Sequence, residues 1–332
     1  MIHVAVLGAG RMGQTHLRNL AAMPDVHVRV VADPDARAAE RGRQLARAER
    51  AMTDVEAAIH APDVDAVVIV TPTATHAHLI EIAARAGKAI WCEKPIALTL
   101  AETQHVVRVL EQTRAPFQIG FMRRFDPGYA AARQRIAAGA LGRIESFRAL
   151  SRDTHPPSPK FLASSGGLFL DMAIHDFDLA RFLVGEVTEV QAWGAVLVDE
   201  HFREVGDIDT AVTLLRFENG ALGVVETGRR APWGYDIRTE VTGERGKIVI
   251  EAAQKTPLLF LRSFGFEGDR FESFPDRFED AYRLELEAFI AALQEGRAPE
   301  PGAEEALQTM RLALAADRSW REGRSVKLSE IA

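Results

Sequence analysis

The chain has 332 residues, 47% of them apolar and 26% charged, which is the composition of a globular protein with material for two cores. A formal charge of −7 speaks against a nucleic-acid partner, and no apolar run approaches the roughly 18 residues that a membrane span would need. The single cysteine, Cys92, excludes an internal disulfide framework and suits a reducing, cytoplasmic setting, and the N-terminus opens on a strand pattern where a secretory leader would need a charged start.

In chain order, Ile2 to Leu7, Val26 to Ala32, Val64 to Val70 and Ala89 to Cys92 read as buried parallel strands. Gln14 to Ala22, Ala36 to Glu49, Val55 to Ala58 and His76 to Ala86 read as the helices between them. Such alternation predicts βαβ units and a doubly wound Rossmann sheet. A helix over Thr99 to Gln112 and a strand over Phe117 to Phe121 complete it, so the first domain is expected over 1–121 and the second over 122–332. Beyond the boundary come longer strands: Ile144 to Ser151, Val187 to Val198, Thr210 to Phe217, Ala221 to Thr227, Ile237 to Thr242 and Lys247 to Glu251. Turn residues at Glu218-Asn219-Gly220 and Gly243-Glu244-Arg245-Gly246 predict antiparallel neighbours. Pro156 to Pro159 reads as a loop, and amphipathic helices over Glu279 to Leu293 and Ala303 to Ala316 close the chain. The expected fold class is α/β: a Rossmann domain followed by an α+β domain on a large, mostly antiparallel sheet.

Gly8-Ala9-Gly10-Arg11-Met12-Gly13 follows the first strand and opens the first helix. Its glycines suit a tight turn, close approach of backbone to a pyrophosphate, and close helix–strand packing. The helix N-terminus then offers amides and a positive dipole end to the phosphates. Asp33 follows about 20 residues later at the end of the second strand, where a carboxylate accepts from ribose hydroxyls. Asp33 would repel a 2′-phosphate, so NAD is expected over NADP, with Arg37 the nearby group able to offset that repulsion.

Three further segments carry candidate chemistry. Glu93-Lys94-Pro95 follows a strand whose C-terminal end faces the ligand crevice of an open α/β sheet, although a surface lysine fits the same position. On a helix, Asp171, His175 and Asp178 fall at i, i+4 and i+7 and share a face, which suits a general base with an orienting carboxylate or a structural His–Asp pair. Arg123-Arg124-Phe125-Asp126 lies at the domain junction, where ligands often bind and where a linker role fits equally. No metal is expected: His76-x-His78 lacks a third ligand, and neither a Gly-x-Ser-x-Gly nor a Walker sequence occurs.

Taken together, the glycine loop, Thr71-Pro72-x-x-x-His76, Glu93-Lys94-Pro95, Arg123 to Asp126 and Asp171-x-x-x-His175-x-x-Asp178 resemble the Gfo/Idh/MocA oxidoreductase family. The resemblance is nearest to its inositol 2-dehydrogenase branch, through Ser151-Arg152-Asp153 and the run Gly166 to Asp178. It implies a cofactor site built from Gly8, Gly10, Arg11, Met12, Gly13, Asp33, Thr71, Pro72, His76, Glu93 and Lys94. It implies catalysis by Lys94, Asp171 and His175, and substrate contacts from these three with Arg124, Asp153, Asp178 and Tyr235. Asp153 stands where some inositol dehydrogenases carry Asn, which leaves the stereochemistry of the substrate open. The implied activity is NAD-dependent oxidation of a secondary hydroxyl of a cyclic polyol, myo-inositol to 2-keto-myo-inositol first. A dehydrogenase of another sugar or cyclitol, and a non-catalytic NAD(P)-sensing regulator, are the alternatives. The open face of the second sheet predicts a homo-oligomer, and the resemblance favours a tetramer.

Overall fold

The computed structural model describes residues 1–331 and divides the chain into two compact units. The first contains Met1–Phe125 and Asp280–Gln308; the second contains residues 126–279 and the chain from Thr309 onward.

In the first unit β1 (Ile2–Leu7), β2 (Val26–Ala32), β3 (Arg50–Met52), β4 (Ala66–Ile69), β5 (Ala89–Glu93) and β6 (Phe117–Gly120) form one sheet in the order β3-β2-β1-β4-β5-β6. Every neighbouring pair is parallel. Helices α1 (Arg11–Ala22), α2 (Ala36–Ala46), α3 (Val55–Ile59), α4 (His76–Arg85) and α5 (Leu100–Thr113) make the crossovers. Strands covered on both faces need apolar residues throughout, and Val4 to Leu7 and Ala66 to Ile69 are accordingly all buried. Strand order reverses between β1 and β4, so their C-terminal ends flank the crevice where this architecture binds ligands. The helix Glu279–Gln294 returns to this unit and places Leu286, Phe289 and Ile290 in one core with Val4, Leu17, Leu20 and Trp91. A single cut near Met122 leaves this helix with the other domain, because its apolar stripe does not say which core it joins.

The second unit is built on β7 (Ile144–Arg152), β8 (Val187–Ala195), β9 (Thr210–Phe217), β10 (Leu222–Gly228), β11 (Asp236–Gly243), β12 (Gly246–Ile250) and the short β15 (Val326–Lys327), in the order β12-β11-β7-β10-β9-β8-β15. All pairs are antiparallel except β7–β10. The expected turns at Glu218 to Gly220 and Gly243 to Gly246 do join antiparallel neighbours. Along β9, Ala211, Thr213, Leu215 and Phe217 point inward and Val212, Leu214 and Arg216 outward, the period-two alternation of a sheet with one covered face. Several elements were illegible in sequence. The helix α6 (Pro127–Ala137) starts at Asp126, whose Oδ1 accepts from the Gly128 amide at 3.0 Å. The strands β13 (Gln254–Arg262) and β14 (Gly265–Arg270) form a separate hairpin; every residue of β13 is exposed, so no alternation marks it. Pro159 belongs to a one-turn helix over Pro159–Leu162, not to the loop before it.

Candidate functional site

At the end of β1 the chain turns through Gly8 at φ 98°, where a Cβ would meet the Val70 carbonyl oxygen at 2.6 Å. A Cβ on Gly13 would lie 2.2 Å from the Gly8 carbonyl oxygen, so α1 starts against the loop with no room for a side chain. Gly10 differs: nothing lies within 4 Å of its Cβ position. Its bare backbone faces open space at the start of α1, whose N-terminus carries no side-chain cap. The first and third glycines therefore serve the protein's own packing, and the second keeps the amides approachable, which is the division of labour a pyrophosphate site needs. Arg11 is exposed and Met12 half-buried in the first turn.

Asp33, just beyond β2, accepts from the Ala9 amide through Oδ2 at 2.8 Å and from the Asp35 amide through Oδ1 at 2.9 Å. It braces the glycine loop, and each oxygen keeps a further lone pair for a ribose hydroxyl. Thr71 and Pro72 follow β4. His76 is fully enclosed, with Nδ1 2.8 Å from the Pro95 carbonyl oxygen and Nε2 2.8 Å from that of Thr71. Burial pushes its pKa down against the pull of the two carbonyls, and a neutral ring donates to one of them. The ring thus ties the turn after β4 to the turn after β5, where the Lys94–Pro95 peptide is cis. Glu93 and Lys94 are both partly exposed at that strand end. Glu93 Oε1 meets Nε2 of the buried His16 at 2.9 Å, and its Oε2 accepts from the Lys94 amide at 3.2 Å. Of the junction arginines, Arg123 is buried and Arg124 half-buried.

In the second unit the segment after Gly167 begins with one wide turn, Phe169–Ala173, closed by i→i+5 bonds, before the α-helix Ile174–Leu183. The i, i+4, i+7 face expected of a continuous α-helix is therefore shifted at Asp171. From Leu168 to Ala180 every residue is buried except Asp171 and His175. These two leave the core together, whereas Asp178 stays inside at 1% exposure. Asp176 ties this helix to the sheet, its Oδ1 accepting from the Ser151 hydroxyl at 2.9 Å. Tyr235 is nearly buried, with its ring edge-on to Phe278.

Asp153 and Asp171 converge on one cation. Arg229 donates through Nη1 to Asp153 Oδ2 at 2.9 Å and through Nη2 to Asp171 Oδ2 at 2.6 Å. Burial by itself lowers the pKa of this group, but the two carboxylates outweigh that and raise it above the ordinary arginine range. Sequence gave no hint of this: Arg229-Arg230 ends a strand like any charged turn, yet the first is buried and the second exposed. His16 did carry a signal, since it occupies the inward stripe Gly13, His16, Leu17, Leu20 of α1. Among the described residues no group of three or more His, Cys, Asp or Glu could hold a metal ion, and no helix is long and apolar enough to cross a membrane.

Residues 2–121 match the oxidoreductase family described as an NAD-binding Rossmann fold, and residues 129–249 match the GFO/IDH/MocA C-terminal domain. The chain is 38% identical over 332 residues to a myo-inositol 2-dehydrogenase of Thermotoga maritima, covering 99% of each chain. It is 39% identical to the scyllo-inositol 2-dehydrogenase (NAD(+)) of Bacillus subtilis, over 98% of this chain and 96% of that one. Among solved structures, a scyllo-inositol dehydrogenase from Lactobacillus casei with bound NAD(H) and scyllo-inositol superposes with a TM-score of 0.92 at 30% identity, covering 99% of both chains. With residues 2–121 and 129–249 matched by its family models, a relative 38% identical over the full chain, and a glycine loop shaped for a dinucleotide, the chain belongs to the GFO/IDH/MocA oxidoreductase family.

Proposed function

We propose that the chain is an NAD-dependent cyclitol dehydrogenase that oxidises a secondary ring hydroxyl, with myo-inositol to 2-keto-myo-inositol the leading reaction. The observation that carries this reading is the full-length similarity to inositol and scyllo-inositol dehydrogenases. The chain itself supplies a lysine at a strand end of the first unit and an Asp–His pair emerging from the core of the second.

NAD supplies the hydride acceptor, chemistry that no side chain provides. His175 takes the hydroxyl proton as the carbinol carbon loses hydride. Lys94 donates to the same oxygen and stabilises the alkoxide character that develops there. Asp171 orients the imidazole and favours its protonated product form. Asp153, Arg124 and Tyr235 serve the remaining ring hydroxyls, while Asp178 stays in the core. The amides of the glycine loop and of the α1 N-terminus take the pyrophosphate, and Asp33 takes the adenosine ribose, which favours NAD over NADP. Thr71, Pro72, His76 and Glu93 shape the cofactor side.

The test follows reduced-cofactor absorbance with NAD, and separately NADP, over myo-, scyllo- and D-chiro-inositol, glucose, galactose and xylose. Turnover is expected with NAD and an inositol. Turnover with an aldose alone would move the chain to sugar oxidation. Tight NAD binding with no turnover on any polyol would favour the cofactor-sensing regulator.

We also infer a homo-oligomer, a tetramer by the family resemblance, in a reducing cytoplasmic setting suited to a lone buried thiol. The outward face of the seven-stranded sheet exposes Trp193, Val212, Leu214, Leu222 and Val249, an apolar face of the kind that association covers. Light scattering on the eluting protein is expected to give four times the chain mass, and a monomer mass would overturn the inference.

A further inference from the structure

We infer that Arg229 is a positioning residue that sets which cyclitol stereoisomer the protein prefers, by holding the carboxylates of Asp153 and Asp171 as one rigid pair of acceptors for two ring hydroxyls. The inference rests on the cyclitol reading above and adds to it the residue that discriminates between isomers.

The backbone dictates the arrangement. Strands β7 and β10 run parallel with Arg152 opposite Gly228, and the Asp153 amide donates to the Gly228 carbonyl at 3.0 Å. Asp153 and Arg229 are thus the first residues beyond matched strand ends. The Arg229 amide donates to the Asp209 carbonyl at 2.9 Å, which fixes the root of the side chain. Asp209 is itself immobilised, its carboxylate accepting from the amides of Leu197, Val198 and Asp199 and from the Thr210 hydroxyl. Arg229 is 3% exposed, and its guanidinium is bonded to both carboxylates.

Chemistry explains why this site would use an arginine. Two carboxylates side by side repel, and each would otherwise choose its own rotamer. A planar guanidinium donates along fixed directions, so its fork sets the spacing and tilt of both acceptors at once. It takes Oδ2 of each, and an ionised carboxylate has about four acceptor sites. Asp171 and Asp153 keep side-chain exposures of 15% and 24%, so both reach solvent from a buried anchor. A pair of acceptors at fixed separation matches two neighbouring hydroxyls of one relative configuration. Inverting one ring carbon moves one hydroxyl out of reach and leaves an acceptor unpaired. Lysine keeps the positive charge but loses the fork.

The experiment compares kcat/KM for myo-, scyllo- and D-chiro-inositol in the wild type, Arg229→Lys and Arg230→Lys, with NAD affinity and melting temperature recorded for each. Arg229→Lys is expected to shrink the preference between isomers on the order of tenfold to a hundredfold, the worth of one charge-assisted hydrogen bond. NAD affinity should be unchanged, and Arg230→Lys, on the exposed neighbour, should keep the wild-type preference. Equal loss of kcat/KM on every isomer would show that Arg229 acts only through the fold or through the hold of Asp171 on the base, not on the choice of isomer, and would overturn the inference. So would an unchanged preference. If Arg229→Lys does not fold, Asp153→Asn reads the same quantity, since its amide oxygen still accepts from Arg229 while one acceptor of the pair changes; an unaltered preference there also overturns the inference. A wild type that oxidises no cyclitol at all would instead refute the reading of the substrate.

Discussion

Replacing His175 with alanine is expected to lower kcat on the order of 10²–10⁴-fold, the usual worth of a general base, while leaving NAD affinity unchanged. In the run Leu168 to Ala180 the fold buries every other residue and lets only Asp171 and His175 out. The wide turn at Phe169–Ala173 sits just before His175, the kind of local irregularity that a helix tolerates where a side chain must be aimed. Lys94→Met is the companion variant, expected to reduce kcat through the loss of a donor to the developing alkoxide. Stopped-flow turnover and NAD titration read both variants. Near-normal turnover in His175→Ala would remove it as the base. A loss of NAD affinity in Lys94→Met, with turnover at saturating NAD preserved, would place that lysine in the cofactor site only.

What could be read from the sequence followed from local rules. The run from β1 through Gly8 to Gly13 into α1 is a strand, a turn and a helix whose residues each favour the same answer, and the structure places them so. The strand pattern of the second unit was equally legible, because β9 alternates inward and outward residues and Asn219-Gly220 turns the chain. Illegible features depended on partners far away in the chain. Arg229 meets Asp153 and Asp171 across separations of 76 and 58 residues, and nothing near Arg229 in sequence announces either carboxylate. The pattern over Glu279 to Leu293 predicts an amphipathic helix, yet the choice of the first core by the helix Glu279–Gln294 comes from complementarity to Leu17, Leu20 and Trp91. The shift at Asp171 likewise could not be foreseen, since a one-residue widening of a helix leaves no mark on the spacing of Asp and His.

That same returning helix carries the second large expected effect: Glu285→Gln should make the protein more stable than the wild type at neutral and alkaline pH, with the advantage fading as pH falls. Glu285 is fully buried, and neither carboxyl oxygen finds a hydrogen-bond partner among the described residues, while its backbone carbonyl accepts from Gln118 Nε2 at 2.9 Å. Burial first, and the charge of Glu93 second, push its pKa well above the usual carboxylate range. A carboxyl whose pKa is raised by folding binds its proton more tightly in the folded state than in the unfolded one. The folded state is therefore penalised as pH climbs from the unfolded pKa, near 4.3 for glutamate, toward the higher folded value, with a limiting slope of about 1.4 kcal/mol per pH unit. Below the unfolded pKa both states are protonated and the penalty vanishes. Glutamine has nearly the shape of the protonated acid and does not ionise, so its stability should lack this slope. Each kcal/mol is worth about 2–4 °C in a unit of this size, so melting curves at pH 5, 7 and 8.5 should show the gap between variant and wild type opening by several degrees. Adding Glu93→Gln to the wild type should close part of that gap by removing the second cause. A gap that stays constant across the three pH values would mean that Glu285 keeps an ordinary pKa, with solvent or a cation reaching it.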